Sequence, residues 1–304
     1  MNNELVLTGL DGSNPLAFLA ALGTLHAVTK ACPESDVKMA WRKNDGAWHP
    51  VLHGSADDNA ITAALFGQCQ IASQHATLSI ADSLTINADD YRTHLRDQIE
   101  KGDVDATSFA AAFGCDAVCN DKGTIVDTAL RTMSGAGHQH FLKTMRDVLG
   151  GTTKDHIHKT LFMPWQYDDP LKGLSLRFDP TDDKRYAMQW NDPSGDPTRN
   201  KRGNMLGANA LAVLGIPLLV VAPVHGELRT TGFRGQRSSD CYWTWPIWDA
   251  LLNLDVVASL LTLAELQLAE LSRDRLSLCG ISEVYRSQRI TCGKFRNFAP
   301  ARPV

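Results

Sequence analysis

The sequence predicts a mixed α+β fold, in which antiparallel hairpins pack with buried helices that are rich in small residues. Strand-type runs at residues 37–41 and 47–52 flank Lys43-Asn44-Asp45-Gly46, and an Asp-Gly turn between such runs is typical of a hairpin. Residues 15–28 are apolar on nearly every side, which is the pattern of a buried helix. The 304 residues are 43% apolar, enough for a sizeable core.

The N-terminal part alternates short strands and helices. Residues 4–10 suggest a first strand. Ser13 or Asn14 can cap the following helix, where Pro15 suits the first turn. The Ala and Gly residues of this helix, Gly23 among them, would let another element pack close. Residues 78–86 suggest a strand, and five further stretches suggest helices: residues 60–66, 91–101, 108–113, 139–149 and 153–161.

The stretch from residue 174 to residue 212 carries the strongest functional lead. Strand-type runs at 174–178 and 186–190 indicate a hairpin, and an exposed loop rich in Pro, Gly and Asn follows. Exposed loops on a fixed scaffold often carry binding groups. The candidate binding residues of this stretch are Lys184, Arg185, Arg199, Asn200, Lys201 and Arg202.

A second basic loop is predicted at residues 226–237, after an apolar helix at 205–215 and a buried strand at 218–222. It contains Arg229, Arg234, Gln236 and Arg237, with Phe233 among them. Basic residues interleaved with an aromatic ring suit a nucleic-acid backbone and a stacked base. A solvated hairpin tip is the alternative interpretation.

The last part of the chain has three predicted elements. The aromatic residues 242–248 indicate a strand or a core edge, and residues 254–271 a long helix. The tail from Arg286 to Arg302 holds five basic residues and no acid, which suggests a basic strand pair or arm. We expect an N-terminal lobe at residues 1–170 and a C-terminal lobe with basic loops at residues 171–304.

Charge is distributed unevenly along the chain. Residues 1–180 contain 15 basic and 22 acidic residues, whereas residues 181–304 contain 15 and 12, so the net charges are −7 and +3. This asymmetry would suit an anionic partner of the C-terminal part, although ordinary surface variation can produce it. Seven scattered Cys residues and no signal-peptide pattern predict a cytoplasmic protein with reduced thiols.

Signals for catalysis are weak. The segment GLDGSNP lacks the phosphate-binding lysine of a Walker motif, and no G-x-S-x-G elbow surrounds Ser134. The sequence therefore predicts no catalytic residue, metal or cofactor. A metal-dependent nuclease or phosphate-handling hydrolase remains an alternative. It would rest on the His138/His140 and His156/His158 pairs and on the acid pairs Asp57-Asp58, Asp89-Asp90, Asp168-Asp169 and Asp182-Asp183.

Several motifs together resemble proteins of type I-G (formerly I-U) CRISPR loci. They are GLDGSNPLAFLAALGTL, MSGAGHQHFL, SLRFDPTDDKRYAMQWNDPSGD, ANALAVLGIPLL, TTGFRG and WPIW. They are scattered over most of the chain. The chain is similar to the short family related to the large subunit of Cascade, the RNA-guided surveillance complex, or to the accessory extension of its helicase-nuclease.

The resemblance implies a non-catalytic role in antiviral defence. A Cascade large subunit contacts target DNA near the protospacer-adjacent motif and the guide RNA, and it helps to recruit the helicase-nuclease. The implied partners are the other Cascade subunits, guide RNA, double-stranded target DNA and the helicase-nuclease, with no membrane. Base pairing reads most of the target, while protein reads a short duplex motif and the backbone.

On this interpretation the Lys and Arg residues of the two loops would bind phosphates, and one Arg, or Asn200 or Gln236, would read a base edge. A protein-binding scaffold, docking through its apolar helices at residues 15–28 or 254–271, is the remaining alternative.

Overall fold

The computed structural model describes residues 4–54, 57–133, 140–169, 174–182, 203–235, 239–292 and 295–304. Within these ranges helices and strands are both abundant, and every strand pair is antiparallel. The predicted α+β class is therefore confirmed.

The described helices are α1 Pro15–Ala31, α2 Asp58–Ser73, α3 Ala88–Glu100, α4 Val104–Phe113, α5 Phe141–Gly151, α6 Lys154–Phe162, α7 Leu206–Gly215, α8 Leu254–Leu261 and α9 Arg273–Leu278. The described strands are β1 Glu4–Val6, β2 Lys38–Asn44, β3 Ala47–His53, β4 Gly114–Cys119, β5 Ile125–Asp127, β6 Val221–Val224, β7 Glu227–Thr230, β8 Phe233–Arg234, β9 Tyr242–Trp248, β10 Ile281–Cys292, β11 Phe295–Phe298 and β12 Arg302–Pro303.

Helices α1 and α7 cross at very short range in the centre of the core. A Cβ atom on Gly23 would lie 1.8 Å from the carbonyl oxygen of Leu211, and one on Gly215 would lie 2.6 Å from the carbonyl oxygen of Leu19. Both values are shorter than any real Cβ contact, so the two glycines allow the backbones to approach. The predicted buried helices with small residues are confirmed.

The first sheet has the strand order β1-β3-β2. Its β2–β3 hairpin turns at Asp45 and Gly46, which both have positive φ angles of 49° and 88°, as a two-residue type I′ turn requires. The indole Nε1 of Trp248 donates to the carbonyl oxygen of Met39 at 2.9 Å, so β2 is tied to the C-terminal half of the chain.

The second sheet has the order β11-β10-β9-β8, and β12 also pairs with β10. Strand β9, predicted from its aromatic run, is buried along most of its length. Trp243 and Trp245 contact Phe18 of α1, with ring centroids 5.9 and 5.6 Å apart. The buried apolar residues of both halves form one cluster. The division into two lobes near residue 170 stays a prediction.

Two predicted strands are absent from the described residues. Residues 78–86 contain the end of a short 3-10 helix, Ala76–Ser79, and an irregular segment. There the guanidinium of Arg146 donates to the carbonyl oxygens of Leu78 and Ala81. A side chain thus takes the place of a neighbouring strand, and the predicted strand is wrong.

The first arm of the hairpin predicted at 174–178 is also not a strand. The amide N–H of Leu176 donates to Asn209 Oδ1 at 2.9 Å, and its carbonyl oxygen accepts from Thr132 Oγ1 at 2.7 Å. Arg177 has a φ angle of 60°, outside the range of strands. The second arm, residues 186–190, lies outside the described residues.

Two C-terminal elements differ in position or length from the prediction. The strand expected at 218–222 is instead β6, which begins at Val221 and is mostly exposed. The helix expected over 254–271 ends at Leu261, and a 3-10 helix, Ala264–Gln267, follows. Within the described ranges, none of the helices has both the length and the apolar composition that crossing a membrane requires.

Candidate nucleic-acid interface

Two of the predicted binding residues lie on strands of the C-terminal half. Arg229 belongs to β7 and Arg234 to β8, so this part of the expected loop at 226–237 is largely strand. The other eight predicted residues lie outside the described residues: Lys184, Arg185, Arg199, Asn200, Lys201, Arg202, Gln236 and Arg237.

Arg229 points its guanidinium to the molecular surface. Its side chain is 46% exposed, and Nη2 lies 2.7 Å from Glu227 Oε2 on the same strand. An ion pair this exposed contributes about 0–1 kcal/mol and exchanges readily with other partners. Arg229 can therefore turn toward an incoming anion at little cost.

Arg229 lines a cavity of about 140 Å³ together with Arg289 of β10 and Arg296 of β11. We call this the arginine cavity. Asp127, Thr230 and Phe233 also line it. Phe233 is buried and stacks on Trp243, with ring centroids 5.7 Å apart and planes 4° apart, so one wall is apolar and firmly packed.

The two deeper arginines are held by backbone carbonyl oxygens. Arg289 is 6% exposed, and its Nη1 donates to the carbonyl oxygen of Ala129 at 2.7 Å. Arg296 Nη1 donates to the carbonyl oxygen of Arg131 at 3.4 Å. Burial lowers the pKa of the Arg296 guanidinium, and the nearby positive charge of Arg289 lowers it further. Because the ordinary pKa of arginine lies far above neutrality, Arg296 stays charged despite this lowering.

The carboxylate of Asp127 is already bound within this cluster. It forms an ion pair with Arg131, which is itself buried and donates from Nε to the carbonyl oxygen of Met133 at 2.6 Å. Asp127 thus fixes Arg131, and its negative charge is largely satisfied there. The arrangement favours the binding of an anion in the arginine cavity.

Arg234 belongs to a second basic group. Its guanidinium lies over the ring of Tyr242, 5.5 Å from the centroid. Burial lowers the pKa of the Arg286 guanidinium, and the positive charge of Arg234 lowers it further. Arg286 donates to Thr244 Oγ1 and to the carbonyl oxygens of Leu268 and Ala269, at 3.0, 2.7 and 3.0 Å. We therefore assign Arg286 a structural role and leave Arg234 as the member suited to a ligand.

The sequence suggested a basic strand pair or arm in the tail but did not place Arg289 or Arg296 in a site. The register pairs Arg289 with Phe298 and Thr291 with Arg296. Opposite residues share a face of a sheet, as do residues two apart on one strand, so both arginines lie on the same face. The concentration of basic residues in the tail, without any acidic residue, was the available signal.

None of the described histidines singled out for metal binding belongs to a described group of potential metal ligands. His138 lies outside the described residues, and His140 precedes α5. His156 Nδ1 accepts from the Thr153 amide in a capping box, and His158 lies 3.8 Å from Asp58. Among the described residues, a different set brings its ligand atoms within 4.8 Å of one another, namely His75, Asp103 and Asp105.

Both acids of that set already have partners. Asp103 Oδ1 accepts from the Ala106 amide and so caps α4. Asp105 forms an ion pair with Lys30, so an ammonium group already occupies one side of its carboxylate. A metal ion would have to displace Lys30.

The N-terminus of α1 is not suited to a phosphate. Asn14 Oδ1 accepts from the amides of Leu16 and Ala17 at 2.8 and 3.3 Å. The buried carboxylate of Asp179 lies beside the cap, where its Oδ2 accepts from Asn14 Nδ2 at 3.5 Å. An incoming phosphate would meet this negative charge.

Comparison with protein families and with curated proteins gives no match. No known protein family matches the chain, and no curated protein matches its sequence significantly. Functional inference therefore rests on the sequence motifs and on the geometry of the basic residues.

Proposed function

We propose that this chain is a non-catalytic, nucleic-acid-binding subunit of a type I CRISPR surveillance complex. It would act in the cytoplasm, contact target DNA near the protospacer-adjacent motif, the guide RNA, or both, and help to recruit the helicase-nuclease. The resemblance of its motifs to proteins of type I-G loci supports the assignment to a complex. The convergence of Arg229, Arg289 and Arg296 carries the nucleic-acid part of the proposal.

Guanidinium groups suit this role because they form two parallel hydrogen bonds to a phosphate and stay charged. Arg229 is exposed, Arg234 is partly exposed, and the two lie on the consecutive strands β7 and β8. Tyr242 lies beneath Arg234, and an aromatic ring beside a guanidinium can also stack on an unpaired base. The surface therefore fits a backbone together with single-stranded bases at the mouth of an opened duplex.

The test is the salt dependence of binding to a DNA duplex with a single-stranded fork. Each phosphate contact that is lost should reduce the slope of log K against log salt by about 0.9 for duplex DNA. We expect Arg229→Gln and Arg234→Gln each to weaken binding and to flatten this slope by about one unit.

Arg273→Gln is the matched control. Arg273 also forms a 2.7 Å ion pair with a glutamate, Glu283, and its side chain is 47% exposed, but it does not line the arginine cavity. The proposal predicts an unchanged slope for this variant. Equal slopes for all three variants and the wild type would exclude Arg229 and Arg234 from the interface.

A metal-dependent hydrolase is the second candidate, and the proximity of His75, Asp103 and Asp105 favours it. Metal analysis of the purified protein tests it directly. Stoichiometric Mn²⁺ or Zn²⁺ that is lost in the Asp105→Asn variant, together with cleavage of nucleic acid, would support this candidate over the non-catalytic role.

A further inference from the structure

The arginine cavity is small, partly enclosed and lined by three arginine residues, and we propose that it binds one phosphate group. The proposal deepens the proposed function and rests on it for the source of the phosphate, which would be a nucleic-acid strand. The binding of phosphate itself follows from the cavity and can be tested separately.

The size of the cavity limits its ligand. Its volume is about 140 Å³, whereas sites for drug-sized molecules measure about 300–1,000 Å³. A cavity of about 150 Å³ admits a molecule the size of benzene. A phosphate group with a few water molecules fits this space, but the sugar and base of a nucleotide would have to stay outside.

The lining residues have the chemistry that a phosphate requires. Among those that the structure describes, three are arginines and one, Asp127, is an acid, and the Asp127 carboxylate is paired with Arg131. The apolar wall at Phe233 limits water on one side. Charge interactions are stronger beside such a wall than in open solvent.

The arginines divide into fixed and movable groups. Arg289 and Arg296 are held by the carbonyl oxygens of Ala129 and Arg131, so their orientation is set before a ligand arrives, which reduces the entropy lost on binding. Arg229 is half exposed, and its guanidinium pairs with the Glu227 carboxylate at the surface. We infer that Arg229 closes over the phosphate once the phosphate has entered.

Isothermal titration of the full chain with inorganic phosphate tests the inference, with sodium chloride adjusted to keep ionic strength constant. We expect saturable binding of one phosphate per chain. Arg229→Gln should raise the Kd for phosphate about tenfold, because the loss of a hydrogen bond to a charged group weakens binding by about this factor or more. Arg273→Gln should leave it unchanged. Wild-type protein that shows no saturable binding, or equal Kd values for the two variants, would overturn the proposal.

The comparison of Kd values requires that both variants are folded. Circular dichroism and the thermal midpoint of unfolding, measured without phosphate, show whether they are. Arg229 and Arg273 are equally exposed, so neither substitution should lower the midpoint by more than a surface change does. Phosphate should then raise the midpoint of the wild type and Arg273→Gln more than that of Arg229→Gln. Equal increases in all three would contradict the site.

Oligonucleotides that end in a 5′-phosphate or a 5′-hydroxyl identify the source of the phosphate. Tighter binding of the phosphorylated strand, lost in Arg229→Gln, would assign the cavity to a strand terminus. Equal binding of both strands, with competition by inorganic phosphate, would assign it to the internal backbone.

The same titrations separate the two proposals. Oligonucleotide binding that inorganic phosphate does not compete would overturn the cavity proposal and leave the nucleic-acid function standing. Saturable phosphate binding without oligonucleotide binding would support the cavity and contradict the proposed function.

Discussion

The crossing of α1 and α7 gives a quantitative test of the core, through the substitution Gly23→Ala. The new Cβ would lie 1.8 Å from the carbonyl oxygen of Leu211 and 2.8 Å from the amide nitrogen of Gly215. Both are backbone atoms of a buried helix, so no side-chain rotation relieves the overlap. The helices must move apart by about 1.7 Å to reach an ordinary contact of about 3.5 Å.

Overpacking a core costs about 1–3 kcal/mol and sometimes more. Because this contact is between two backbones, we place the cost near 3 kcal/mol. The higher helix propensity of Ala recovers about 1 kcal/mol, which leaves a net loss of about 2 kcal/mol in the free energy of unfolding.

Urea denaturation followed by circular dichroism and tryptophan fluorescence measures this difference. Gly67→Ala in α2 is the control, since a Cβ there has nothing within 4 Å. It gains helix propensity without overlap, so we expect it to stabilise the protein by up to about 1 kcal/mol. If Gly23→Ala is as stable as the wild type or Gly67→Ala, the close crossing is refuted.

Three further predictions concern single side chains. Burial lowers the pKa of His75 from its usual 6.5. As the pH drops, the unfolded chain therefore takes up a proton before the folded chain does, and the free energy of unfolding falls below about pH 6.5. His75→Gln should flatten this fall in urea titrations between pH 7.5 and 5.5. Burial raises the pKa of Cys69 to about 12, so mass spectrometry should find it alkylated far more slowly than exposed Cys279 in the native protein. Arg286→Met removes hydrogen bonds to Thr244, Leu268 and Ala269 and should cost about 2 kcal/mol of stability in urea denaturation.

Features that depend on neighbouring residues could be predicted from the sequence. The turn at Asp45-Gly46 needs two positive φ angles, and this dipeptide adopts them readily. The buried helices α1 and α7 follow from apolar residues on all sides.

Features that depend on distant side chains could not be predicted in this way. Residues 174–178 alternate like a strand, but Asn209 and Thr132 bind the backbone of Leu176 from 33 and 44 residues away. The predicted helix over 254–271 ends early, and the carbonyl oxygens that follow accept from Arg286. Neither interaction can be predicted from the residues that lie next to these segments in the sequence.

The residues of the candidate site also differ in whether the sequence could predict them. Arg229 and Arg234 could be singled out because several basic residues surround an aromatic residue in one segment. Arg289 and Arg296 join Arg229 through the β10–β11 register and through carbonyl oxygens at residues 129 and 131. Those contacts span about 160 residues of sequence, so the cavity is visible only in the folded chain.

Affinity purification of the chain, co-expressed with the neighbouring genes of its locus, tests whether it belongs to an RNA-guided surveillance complex. Mass spectrometry and RNA sequencing would identify what is bound. We predict a ribonucleoprotein that contains guide RNA and other subunits of the complex. Arg229→Gln and Arg234→Gln, introduced together, should weaken the binding of target DNA by this ribonucleoprotein. A chain that elutes alone, with neither RNA nor protein partners, would contradict the proposed function.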